Sequence, residues 1–95
     1  MSLRFEWDDE KAVENLRKHK INFDEAKTIF GDPELLTVFD EKHSDEEDRF
    51  ISVGTSSQSR VLLAVHTERT RNVIRIISCR KATRKERKAY EENSE

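Results

Sequence analysis

Ninety-five residues with a formal net charge of −2 and only 34% hydrophobic side chains make one domain with a small core. No apolar run approaches the roughly 18 residues of a membrane span, and no basic–apolar–small leader opens the chain. The single cysteine, Cys79, forms no intrachain disulfide, so a reducing, cytoplasmic location is expected.

Residues 3–7, LRFEW, alternate apolar and charged, which predicts a short first strand. Asp8 then caps a helix to about Lys20. Asp9 and Glu10 lie in its first turn and Arg17, Lys18 and Lys20 in its last, both suited to the helix dipole. INFDEAKTIFGDP predicts a second helix. Asn22 and Glu25 have the spacing at which each side chain satisfies a backbone N–H, Phe23, Ala26 and Phe30 share a face, and Gly31 and Pro33 end the helix. LLTVF at 35–39 is the next strand, followed by the acidic loop DEKHSDEED and the strand RFISVGTS at 49–56. RVLLAVHTER at 60–69 and NVIRIISC at 72–79 predict a hairpin around Thr70–Arg71. Thr83 and Glu86 repeat the capping spacing and open a last helix to about Glu92. The order β-α-α-β-β-β-β-α, with four consecutive strands, calls for an α+β domain over 1–95. Its expected core is an antiparallel sheet with the helices on one face.

Charge is uneven along the chain. Residues 1–59 hold 8 Lys/Arg against 15 Asp/Glu, whereas residues 60–95 hold 10 against 5. That asymmetry fits a polyanion-binding face, or a solvated helix balanced by the acidic half. In VLLAVHTER, alternation puts Leu62, Ala64, His66 and Glu68 on one side and Val61, Leu63, Val65, Thr67 and Arg69 on the other. Taking the second set as core leaves His66 on an open face. In the next strand Arg80 alternates with Ile74 and Ile76, and Arg75 with Ile77 and Cys79, unless a bulge intervenes near Arg80.

A hairpin carrying an imidazole and several guanidiniums suits RNA cleavage. Arginine stabilises a pentavalent phosphorane, and histidine moves protons near neutral pH. No metal or cofactor is required, and no Cys or His spacing supports a zinc site. The bland readings are a solvated His66, arginines paired to the acidic N-terminal half, and Trp7 as a core anchor rather than a stacking platform.

The blocks FEWDDEKAVENLRKH, VLLAVHTER and RIISCRKATRKER, in this order and spacing, make the chain resemble the BrnT family from about Phe5 to Glu92. The resemblance implies a fold similar to RelE-type ribonucleases, with a twisted antiparallel sheet. It implies the toxin of a type II toxin–antitoxin system, a metal-independent endoribonuclease that cleaves RNA and arrests translation and growth. The implied partner is a BrnA-type ribbon-helix-helix antitoxin, in a heterotetramer that binds operator DNA. Arg80 is the leading catalytic candidate, with Arg69 and Arg75 next and His66 as proton shuttle. Trp7, Lys11, Lys81, Arg84 and Arg87 are the expected RNA contacts. Lys20 stands where most relatives have glycine, and Cys79 where alanine or methionine is usual. The alternatives are a non-catalytic nucleic-acid-binding module and a corepressor that only holds an acidic antitoxin.

Overall fold

Residues 3–44 and 47–93 are described by the computed structural model, the side chain of Arg69 excepted. In chain order the elements are β1 (Arg4–Glu6), α1 (Asp9–His19), α2 (Phe23–Ala26), β2 (Leu36–Phe39), β3 (Arg49–Thr55), β4 (Val61–Thr70), β5 (Val73–Lys81) and α3 (Arg84–Asn93). The expected element order is therefore present and the domain is α+β.

Local chemistry sets the helix ends. Asp8 accepts the N–H groups of Glu10 and Lys11 at the start of α1, satisfying donors that have no partner inside the helix. Lys20 closes α1 in the left-handed region, at φ 63. Asn22 caps α2 by accepting the Glu25 N–H at 2.7 Å. Glu25 does not return the bond; its carboxylate turns to Ser56 at 2.7 Å and to Arg60. From Lys27 to Gly31 the helix tightens into a 3-10 turn, where the Thr28 hydroxyl bonds back to the Glu25 carbonyl at 2.6 Å.

The sheet order is β1-β5-β4-β3-β2. β2 to β5 pair antiparallel as expected. β1 instead runs parallel to β5, with Arg4 opposite Val73 and Glu6 opposite Arg75, so the sheet is mixed. Two helices separate β1 from β2, which lets these strands occupy opposite edges of the sheet. The β4–β5 hairpin turns at Arg71–Asn72, with Asn72 at φ 67, a conformation asparagine tolerates.

Helices cover both faces of the sheet, not one. Ile21, Phe23, Ala26 and Ile29 pack with Leu62, Ala64, Ile74, Ile76 and Cys79 on one face. On the other, Tyr90 of α3 packs with Val53 and Leu63, flanked by Leu36, Ile51, Val61 and Val65. The Tyr90 hydroxyl donates to Asp32 and lies 3.0 Å from Thr55 Oγ1, tying α3 to β3. The central strand β4 thus has apolar neighbours on both sides. For that reason the most apolar set of its side chains did not identify the main core.

No helix among the described residues is long and apolar enough to cross a membrane.

Candidate functional site

α3 covers only one end of its face. Beyond it the strands present cross-strand rows, because directly paired residues share a face. The row nearest α3 is Leu36, Val53, Leu63 and Arg80; the next is Val38, Ile51, Val65 and Ser78. The last is Arg49, Thr67, Arg75 and Glu6, contributed by β3, β4, β5 and β1. An apolar floor is therefore bounded by three guanidiniums.

Arg75 and Arg80 reach the same face only because β5 carries an extra residue. Val65 pairs with Ser78 and His66 pairs with Ile76, so Ile77 bulges out of the ladder. Arg80 donates from both terminal nitrogens to Glu86, at 2.8 and 2.9 Å, and from one to the Lys81 carbonyl at 3.2 Å. The bidentate guanidinium holds the Glu86 carboxyl down at about 2. Arg75 donates once to Glu6, at 2.8 Å. Arg49 has no carboxylate partner among the described residues. Between Arg49 and Arg75 stands Thr67, 1% exposed, whose hydroxyl has no hydrogen-bond partner. That hydroxyl is sealed from solvent, so it lies beneath the surface of the row and out of reach of a ligand.

His66 is not on this face. It shares the helix-covered side with Leu62 and Ala64 and is 1% exposed. Its ring stacks on Phe50 and meets the edge of Phe30. Nε2 lies 2.7 Å from Ser52 Oγ, which in turn lies 2.7 Å from Thr37 Oγ1. Burial pushes its pKa down to about 4, so the ring is neutral near physiological pH. The open-face placement expected of His66 fails because the covering helices sit on the even-numbered side of β4.

Arg69 lies in β4, beyond a second irregularity between Thr67 and Thr70, and its side chain lies outside the described residues. Trp7 is no exposed stacking platform: it is half-buried and packs edge-on against Phe23 at 5.7 Å. Lys11 is exposed on α1 and lines a small cleft with Asn15, Ile77 and Ser78 at the outer edge of β5. Packing against Phe23 takes Trp7 away from the three guanidiniums, whereas Lys11 stays at the sheet edge beside Ser78. Lys81 and Arg87 instead line a cleft of about 240 Å³ with Ser59, Arg60, Val61 and Ala82, beside the start of α3. Arg84 is exposed on the same helix.

Arg49 and Thr67 were not among the residues singled out from sequence. Their signal was available: Arg49 alternates with Ile51 and Val53, which places it on one face with them. No three described His, Cys, Asp or Glu side chains are grouped to hold a metal ion.

Residues 7–86 match the family model described as the ribonuclease toxin, BrnT, of type II toxin–antitoxin systems. Among solved structures, the chain resembles the ribonuclease toxin BrnT of Brucella abortus with a TM-score of 0.63 and 16% identity. The match covers 87% of this chain and 100% of the Brucella chain, and at that identity it speaks for the fold. A comparison with curated protein sequences finds no match.

Proposed function

The chain belongs to the BrnT family of ribonuclease toxins, and on that footing we propose that its open sheet face binds and cleaves RNA. The observation that carries this reading is the row of Arg49, Thr67 and Arg75, with Arg80 on the same face. The proposed chemistry is attack of a ribose 2′-oxygen, its proton passing to water, on the adjacent phosphorus, with the P–O5′ bond breaking to leave a 2′,3′-cyclic phosphate and a 5′-hydroxyl protonated by water. On the way, negative charge accumulates on the non-bridging oxygens of a phosphorane. Guanidiniums are permanently charged and match phosphate geometry, so Arg75 and Arg49 stabilise that charge with no metal ion required. Arg80, held by Glu86, clamps a neighbouring phosphate.

His66 is left out of the reacting set, because its neighbours Val65 and Thr67, and not its own ring, point to this face. Arg84 and Arg87 extend the positive surface along α3 and bind the flanking RNA backbone, while Lys81, paired with Leu62, belongs to the opposite face of β5. Trp7 falls outside the proposed interface, and Lys11, at the edge of β5 beside Ser78, flanks it.

As a type II toxin, the protein has an antitoxin as its partner. We propose a BrnA-type ribbon-helix-helix protein whose acidic segment covers the arginine face, with two toxins and two antitoxins binding operator DNA. RNA cleavage in the cytoplasm would inhibit translation.

Incubation of the purified chain with an end-labelled RNA in EDTA tests the catalytic reading. Fragments ending in 2′,3′-cyclic phosphate are expected. RNA that is bound yet stays intact would contradict the enzyme and favour a non-catalytic binding module.

A further inference from the structure

The bulge that brings Arg75 and Arg80 together is held from outside the sheet. β1 pairs with β5 only as far as Glu6 and Arg75, so the outer edge of β5 beyond that point has no strand partner. Cys79 lies on this stretch. Its N–H donates to Asn15 Oδ1 at 3.0 Å, and its carbonyl accepts from Asn15 Nδ2 at 2.8 Å. The amide of Asn15 thus does for Cys79 what a neighbouring peptide group does along a ladder. Its second Nδ2 hydrogen goes to the Ile21 carbonyl at 2.9 Å. Asn15 is 5% exposed, a buried polar side chain in the middle of an otherwise solvated helix.

On the other edge of β5 the register is Ala64 with Cys79, Val65 with Ser78, then His66 with Ile76. In a regular strand, residues five apart point to opposite faces. Removing the extra residue from the ladder would therefore part Arg75 from Arg80. We propose that Asn15 is a positioning residue: by fixing the backbone of Cys79 it holds the β5 bulge, and so sets Arg75 and Arg80 on one face. The proposal rests on the reading of that face as the RNA site.

The chemistry selects asparagine. An aspartate would set carboxylate oxygens against the Ile21 and Cys79 carbonyls. A leucine of similar size would leave three buried backbone groups without partners.

Cys79 offers a readout that needs no RNA, because it is the only thiol in the chain and is 1% exposed. A register shift that flips this end of the strand turns the thiol to the open face. Native-state labelling with an aromatic disulfide would be timed in wild type, Asn15→Leu and Asn15→Asp. An Ile29→Val variant, which loses core packing far from the bulge, serves as the control for general loosening. Labelling is expected to quicken by about tenfold or more in the Asn15 variants over the control. Labelling no faster than in the control overturns the proposal.

RNA cleavage then separates positioning from mere stability. In the Arg80→Ala background, Asn15→Asp is expected to cost less than half, on a logarithmic scale, of what it costs in wild type. Full additivity of the two losses overturns the link to Arg80. A wild type that neither binds nor cleaves RNA, while its Cys79 is exposed by Asn15→Leu, would contradict the RNA reading of the face and leave the strand assignment standing.

Discussion

Arg80 and Glu86 face each other through two parallel hydrogen bonds, at 2.8 and 2.9 Å, across the turn from β5 into α3. Glu86 also accepts the Thr83 N–H at 2.8 Å, while the Thr83 hydroxyl accepts the Glu86 N–H at 3.2 Å. One carboxylate therefore caps α3 and orients the guanidinium beside it.

That double use makes α3 acid-sensitive. The folded-state carboxyl titrates at about 2, against 4.5 ordinarily, chiefly through its bonds to Arg80. Its stabilisation is complete above about pH 4.5 and is lost as pH falls from there towards about 2. With Glu86 partly open to solvent, the loss is on the order of 1–2 kcal/mol. Urea midpoints of wild type and Glu86→Gln, followed through this window, should converge at low pH. A gap that stays constant would contradict the pairing.

His66 produces a separate window. Its folded pKa is about 4 against 6.5 ordinarily, so the unfolded chain binds a proton through the range where the folded chain does not. Stability is full above pH 6.5 and declines towards pH 4, by about 2–3 kcal/mol. His66→Phe, which keeps an aromatic ring beside Phe30 and Phe50, should abolish this decline. Under conditions where it is folded, the variant should cleave RNA within about threefold of wild type. Loss of cleavage with the fold intact would place the imidazole in the chemistry.

Lys20 stands at φ 63 as the residue that caps the end of α1, a conformation that costs an ordinary side chain roughly 1–2 kcal/mol. Glycine removes that cost but loses more chain entropy on folding. The net gain for Lys20→Gly should be about 0.5–1 kcal/mol, read as a higher urea midpoint with an unchanged slope. A midpoint at or below that of wild type would contradict it.

Gly54 is required by close approach. A Cβ there would lie 2.9 Å from Leu35 Cδ1 and 3.2 Å from both Ile29 Cβ and the Ile29 carbonyl oxygen. Leu35 can swing aside, but the Ile29 backbone belongs to the 3-10 turn packed on β3. Gly54→Ala should therefore destabilise by about 1–3 kcal/mol in urea unfolding; a neutral effect would mean that the turn is free to move.

Periodicity and capping chemistry carried most of the fold. Asp8, Asn22 and the Thr83–Glu86 pair mark helix starts that the structure places where expected. The faces of β4 were harder to read, because Leu62 and Ala64 are no more apolar than Leu63 and Val65. Which pair meets α1 and α2 depends on where the helices dock, a tertiary fact. The Ile77 bulge was likewise hidden, since nothing within RIISCR announces it; its anchor, Asn15, is 64 residues from Cys79 in sequence. Arg75 and Arg80 were named on side-chain chemistry and Arg49 was missed, although its parity with Ile51 was visible. Trp7, read either as a stacking residue or as a core anchor, is packed against Phe23.

The central claim is that RNA is bound on the face of Arg49, Arg75 and Arg80. It is tested most directly by single-turnover cleavage of one labelled RNA by Arg49→Ala and Lys27→Ala, the second on the 3-10 turn that packs against the other face of the sheet. Each removes one cation from a half-exposed or exposed position, leaving the fold intact. Arg49→Ala should slow cleavage by about tenfold or more and reduce the salt dependence of binding by about one phosphate contact, with Lys27→Ala within about twofold of wild type. Equal losses in both variants, or a loss only in Lys27→Ala, would contradict the account and move the RNA to the face covered by α1 and α2.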